Sequence, residues 1–262
     1  RGLGDVYKRQ IYTSLCLTAL YMALQKKSAR SMILFGMALS FKLQTVFFLP
    51  ALLPLWLRKD IKLRHLALIP AAYMAMMIPA FWGGKSLHHA LTVYTAQAST
   101  YNFMTVNGPS LYNFLPASMD KGTLYTMFSG MAMALGMAML AIVCLMVCLH
   151  REHITREGTL LTCLLVLGGV PFFLPKMHER YTFGADVLAL AIAAYNPKRV
   201  WLPLLFGLSS YICYTAGLPG DAIFDLKWAT VFQVAAVALT AAALYRSLNE
   251  EKAEAALAEV KA

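Results

Sequence analysis

The chain has 262 residues, 59% of them hydrophobic and 14% charged, with a mean hydropathy of +0.59 and a formal net charge of +10. A soluble domain runs at about 45–50% apolar and about 25% charged residues, so these figures exclude an ordinary core wrapped in a polar skin. They fit a polytopic membrane protein, and its basic balance reads as Lys and Arg gathered in cytoplasmic loops.

The chain opens on "RGLGDVYKRQ", whose last six residues translate GAT GTG TAT AAG AGA CAG and resemble a transposon end used to attach sequencing adapters. Residues 1–10 are therefore read as an adapter scar and set aside from fold reasoning, with the expectation that the natural protein extends further upstream. Subtracting their net charge of +2 from +10 leaves +8.

A helix needs roughly 20 apolar residues to cross the hydrocarbon core. The runs 11–24, 31–57, 64–81, 123–149, 158–175, 181–196, 199–216 and 227–246 are candidates. The expected fold is an all-α, polytopic transmembrane helix bundle of about seven to nine helices over 11–246, with 247–262 as a cytoplasmic tail. Basic clusters at Lys26, Lys27 and Arg30, at Arg58, Lys59, Lys62 and Arg64, at Arg151 and Arg156, and at Lys198 and Arg199 all fall on the tail's side. That side is cytoplasmic by the positive-inside rule.

The run 31–57 has basic flanks at both ends and is interrupted by "SFKLQT". The preferred reading is a helical hairpin of two short helices, over one long tilted crossing. Irregular backbone at that depth is tolerated only where protein or a wet cavity covers it.

Loop 82–122 is long enough to be a functional element. Its Tyr94, Gln97, Tyr101, Asn107 and Tyr112 supply aromatic faces and amides that suit a neutral polyhydroxyl ligand such as a sugar. An interfacial helix carrying an aromatic belt explains the same composition.

"FLPKMHERYTF" then places Lys176, His178, Glu179 and Arg180 at the outer mouth of two consecutive spans. Snorkelling accounts for the cations but not for His178 and Glu179. With a helix beginning near Glu179, Asp186 lies on the same face about 10 Å away. A lone carboxylate at that depth costs around 2.5–3.5 kcal/mol, so Asp186 must face protein or water. Embedded Lys42 and Asp186, with Glu179 and Arg180, imply a polar cavity open to the outside, where Arg can grip a phosphate in a bidentate fork.

Cys16, Cys144, Cys148, Cys163 and Cys213 lie in apolar runs and read as buried, inert thiols. No metal-ligand spacing stands out, no cofactor is identified, and dependence on a divalent metal is not legible. No basic run is interleaved with exposed aromatics, so a nucleic-acid partner is not expected.

"PKMHERYTFGADVLAL" resembles the late motif of bacterial integral-membrane glycosyltransferases of the GT-C superfamily, in the mannosyltransferase group related to PIG-V. "GMALSFKLQTVFFLPALLPL" is similar to their embedded Lys-x-Gln segment, and "YTAQASTYNFMTVNGPSLYNFL" to their outer loop. The His-Glu-basic trio also looks like a motif of the lumenal glucosyltransferases of N-glycan assembly.

The resemblance implies a plasma-membrane enzyme that takes a mannose-like hexose from a polyprenyl-phosphate donor. The sugar would pass to a glycan or lipid acceptor on the outer face. Lys42, His178, Glu179 and Arg180 would bind the donor phosphate, with Gln44, Lys176 and Asp186 supporting the cavity. In these families the catalytic acid lies in the first outer loop, which would fall upstream of Ile11, so the chain would carry no catalytic base and would be inactive alone.

The alternative is a polytopic transporter or lipid flippase, which should show matching broken helices in two repeats. Only 31–57 is interrupted. A non-enzymatic membrane subunit would instead spread its charge pairs over single helix faces.

Overall fold

A computed structural model describes residues 3–98, 102–116, 118–217 and 223–261, and divides the chain into two compact units, 1–102 and 103–262. The architecture is a helical bundle. Among the described residues, five helices are long and apolar enough to cross a membrane: Leu63–Trp82, Lys121–Leu149, Arg156–Phe173, Pro197–Gly217 and Leu226–Asn249.

In the first unit, α1 (Leu3–Leu24) takes in most of the segment set aside as a scar. It packs on α2 (Ser28–Phe41), which packs in turn on α4 (Leu68–Met76). Gly36 permits the second contact, because a Cβ there would sit 2.4 Å from the Ile69 carbonyl oxygen and 2.7 Å from the Ala72 Cβ.

The interruption falls at Lys42, which is extended at φ −159° and ψ 133°. Beyond it, Leu43–Ala51 winds as a 3₁₀ helix and runs into α3 (Leu52–Leu57). Pro50 and Pro54 each lack the N–H that regular α-helical pairing needs there. The Lys62 N–H donates to the Ser28 hydroxyl at 3.0 Å, so the two ends of this stretch meet. A straight helix over 31–57 would separate its ends by about 40 Å, and this contact excludes it. Arg58 pairs with buried Asp60 at 2.8 Å, where the chain leaves the returning arm.

The next span runs as a 3₁₀ turn (Leu63–Ala67), α4 and α5 (Ile78–Trp82), and α6 (Leu87–Ala98) follows. The Tyr94 hydroxyl of α6 donates to the Leu39 carbonyl, an acceptor that the end of α2 leaves without a helical donor.

The second unit holds α7 (Lys121–Leu149), α8 (Arg156–Phe173), α9 (Phe183–Tyr195), α10 (Trp201–Gly217) and α11 (Leu226–Lys261). Two caps set the starts. The Asp120 carboxylate accepts the Thr123 N–H at 2.9 Å, and the Thr155 hydroxyl accepts the Gly158 N–H at 2.7 Å.

Helix α8 is central, touching α7, α9 and α11. Its apolar window is 78% buried at mean hydropathy 1.3, whereas that of α7 is 22% buried at 2.6. The more apolar helix is the more exposed one. Water would reverse that order, and a lipid surround favours it.

Three sequence expectations change. The run 181–196 forms a helix only over Phe183–Tyr195, about 20 Å long and short of a full crossing by itself. The Glu179–Tyr181 turn before it is 3₁₀, so Glu179 and Asp186 do not share one continuous α-helical face. Cys16, Cys163 and Cys213 are buried, but Cys144 is half-buried and Cys148 exposed, because both lie on the weakly covered α7.

Candidate functional site

The second unit gathers its connections at two ends. At one end, Glu157 meets Asn196 and Arg199, Thr155 meets Ser247, and the His150 ring meets Tyr245 edge-on. At the other end lie 103–116, the α8–α9 turn and the end of α10. Within the unit, the loops expected on one side of a membrane are the ones that meet.

The second end begins where α8 stops. Leu174 is extended, Pro175 follows, and Lys176 takes the left-handed conformation at φ +65°. The Lys176 N–H points at the Phe103 and Met104 carbonyls at 3.1 and 3.2 Å. A two-residue parallel pairing then joins β1 (Thr105–Val106) to β2 (Met177–His178). Asn107, at φ +57°, bridges His178. Gly108 sits so close behind that a Cβ would lie 3.1 Å from the Met177 carbonyl oxygen.

This clamp fixes where His178 enters the 3₁₀ turn Glu179–Tyr181. The His178 Nδ1 stands 3.9 Å from Glu179 Oε2, and the Arg180 Nε 3.8 Å from Glu179 Oε1. The Arg180 separation is that of an ion pair, the His178 separation is one only when the imidazole is protonated, and both exceed hydrogen-bond length. His178 also packs edge-on against the Tyr181 ring at 5.5 Å.

Lys176 turns its ammonium over the Tyr125 ring, 4.9 Å from the centroid. Asp186 goes into the protein: the Ser210 hydroxyl lies 2.8 Å from Asp186 Oδ1 and 2.8 Å from Thr182 Oγ1. Thr182 in turn donates to the Glu179 carbonyl at 3.0 Å, so the turn bearing Glu179 and Arg180 is tied through Thr182 and Ser210 to α10.

Of the loop residues, Tyr112 donates its hydroxyl to the Phe173 carbonyl at 2.6 Å, and burial pushes its pKa up to about 12. Ser110 reaches the Phe172 carbonyl at 3.4 Å, so both residues cap the end of α8. Asn107 donates to the Ala216 carbonyl at 3.4 Å.

Tyr94, Lys42 and Gln44 belong to the first unit. Gln44 is buried, and its Oε1 has no hydrogen-bond partner among the described residues. Gln97 lies on α6, and Tyr101 falls outside the described residues. Within the second unit, His178, Glu179 and Arg180 form one cluster, with Lys176 and Asp186 directed to separate partners.

Sequence reading missed the residues that hold this end together. Thr230 donates to the Ser110 carbonyl at 2.9 Å, and Asn113 donates to the Gly108 carbonyl and to Thr230 at 2.9 and 3.0 Å. A polar residue inside an apolar run was the available signal for Ser210, Thr230 and Gln233. Among the described residues, no three His, Cys, Asp or Glu side chains gather as metal ligands. No family model, no curated protein and no solved structure matched the chain.

Proposed function

We propose that the chain belongs to a GT-C-like membrane glycosyltransferase and that His178, Glu179 and Arg180 receive the phosphate end of a polyprenyl-phosphate sugar. The observation that carries the reading is the clamped turn. Two strained residues, a strand pair and a Thr-Ser tie hold one acid, one His and one Arg together at the end of a membrane bundle.

Glycosyl transfer builds negative charge on the departing phosphate. A cation held in place beforehand stabilises that charge without reorganising as it forms. Arg180 would contact the phosphate, and His178 would donate to it. Glu179 would orient both through its two oxygens. Lys42 and Gln44 join the proposal by sequence resemblance alone, and the acceptor would be a glycan or lipid at the outer face of a plasma membrane, with the C-terminus cytoplasmic.

The test is sugar transfer from a polyprenyl-phosphate donor by the full-length enzyme. Arg180→Ala should lower the rate about 10²–10³-fold, and Arg180→Lys should recover part of it. Full activity in Arg180→Ala would remove the donor-site assignment. The extended break at Lys42 also suits a transporter, whose sites are built from interrupted helices. Solute or lipid movement without glycosyl transfer would favour that reading.

A further inference from the structure

Asp186 stands in the first turn of α9, yet its carboxyl does not cap that helix. The nearest N–H groups, those of Ala185 and Asp186 itself, both donate to the Thr182 carbonyl, at 2.8 and 3.0 Å. Among the described residues no ion pair includes Asp186, and its side-chain hydrogen bond is with the Ser210 hydroxyl of α10. An ionised carboxylate without a cation or several donors is costly in a membrane interior, and the neutral acid avoids that cost.

Counting protons decides between the two forms. Asp186 Oδ1, Ser210 Oγ, Thr182 Oγ1 and the Glu179 carbonyl oxygen stand in a row, separated by 2.8, 2.8 and 3.0 Å. Each of these three contacts needs a proton. Ser210 and Thr182 bring one apiece, and the Glu179 carbonyl brings none. The third has to come from Asp186. With it, Asp186 donates to Ser210, Ser210 to Thr182 and Thr182 to Glu179, and every link runs the same way. Without it, the carboxylate takes the Ser210 proton, Ser210 draws the Thr182 proton, and the Glu179 carbonyl loses its donor on Thr182.

The surrounding groups do not supply another answer. From α10, Cys213 lies close enough to Asp186 and Glu179 to act on them electrostatically. In the turn, His178 and Arg180 stand against Glu179. Helix α8, which packs on α9, carries no charged residue after Glu157. Lys198 and Arg199 follow the opposite end of α9, where Arg199 is held by Glu157.

We infer that Asp186 is a proton-binding positioning residue: it holds a proton at neutral pH, and that proton directs the hydrogen-bond chain that ties the Glu179–Tyr181 turn to α10. As the pH rises and the proton leaves, the chain reverses toward Asp186 and the turn is released. The inference stands apart from the glycosyltransferase reading, because it needs neither a donor sugar nor catalysis.

The experiment uses the full chain in lipid nanodiscs. At neutral pH, infrared spectra should show the carbonyl stretch of a protonated carboxylic acid that is absent from Asp186→Asn, and raising the pH should remove it. The second measurement is amide hydrogen exchange over residues 178–182, taken as the ratio of wild type to Asp186→Asn at each pH so that base catalysis cancels. The Asn amide donates to Ser210 as the neutral acid does and has no proton to lose. The ratio should stay near unity while the acid band persists and rise several-fold once it is gone.

If no acid band separates wild type from Asp186→Asn at neutral pH, Asp186 is ionised and the inference falls. It falls equally if the band outlasts the fold as the pH rises, or if the band titrates while the exchange ratio stays flat. Isotope-labelled aspartate shifts the same band in wild-type protein, so the proton is assignable even where Asp186→Asn misfolds. A break in wild-type exchange against pH then replaces the ratio. Asp60 does not compete for the assignment, being ion-paired with Arg58, and Asp120 and Asp225 are exposed.

Discussion

The α8–α9 pair carries a Glu–Arg couple at each end, and the two are alike in exposure but not in geometry. Glu157 and Arg199 are 19% and 21% exposed, and Glu179 and Arg180 are 21% and 20% exposed. At the first end both carboxylate oxygens are taken within hydrogen-bond reach, by Arg199 at 2.7 Å and by Asn196 at 3.0 Å. At the second end the contacts to Glu179 stretch to 3.8 and 3.9 Å. Equal burial therefore does not dictate equal closure. The first couple ties α8 to the α9–α10 turn, and the second is held by backbone clamps that leave Glu179 at ion-pair distance from its neighbours.

The largest effect that separates the ends is sidedness. In a background without the native cysteines, Cys at Glu152 should react with an impermeant thiol reagent only from the cytoplasmic side, and Cys at Met119 only from the outside. Reaction of both from one side would break the topology on which the comparison rests.

Activity comes next. On the proposed glycosyltransferase reading, Arg180→Ala in the full-length enzyme should lose about 10²–10³ in transfer rate with little change in melting temperature. Arg199→Ala should do the reverse. It leaves Glu157 with one partner fewer and should cost about 1.5–3 kcal/mol in reversible unfolding, with the catalytic constant retained. If both variants lose stability and activity alike, the ends do not differ in kind.

A smaller effect tests how the second end is held. Ser210→Ala removes the hydroxyl shared by Thr182 and Asp186 and should destabilise by about 1–3 kcal/mol. Transfer should fall further than Tm alone accounts for, because Thr182 then fixes the Glu179 carbonyl without support from α10. Wild-type kinetics in Ser210→Ala would show that the turn is set by the strand pair alone.

Five of the helices were legible as crossings because apolar run length alone sets a crossing, and α8 at Arg156–Phe173 lies close to the expected 158–175. The break at Lys42 was legible because a cation and an amide inside an apolar run carry their own cost. The start of α9 was not. A 3₁₀ turn and an α-helix share their side-chain pattern over three residues, and only the pairing of 177–178 with 105–106 decides between them. Tyr112 illustrates the same limit. Its composition suits a sugar, but its hydroxyl caps a helix 61 residues away, and no local pattern encodes that distance. Gln233 could have been flagged, since a lone amide within 227–246 needs a partner in lipid.

The smallest effect concerns backbone strain, and it too separates the ends. Among the described residues of the second unit, the two non-glycine residues at positive φ are Asn107 and Lys176, both at the clamped turn. At an ordinary position, Gly is less stable than Ala by roughly 0.5–1 kcal/mol, because the unfolded chain gains freedom. At φ +65° an L-residue carries a steric cost of about 1–2 kcal/mol that Gly does not. Lys176→Ala and Lys176→Gly both lose the ammonium over Tyr125, worth about 0.5–1 kcal/mol, so that contribution cancels between them. What remains is the backbone. Lys176→Gly should therefore be as stable as Lys176→Ala or more so, by up to about 1.5 kcal/mol, when the two are unfolded side by side. The opposite order would mean that the turn relaxes out of the left-handed region at little cost, and a clamp that relaxes so readily could not hold Glu179 and Arg180 ready for a ligand.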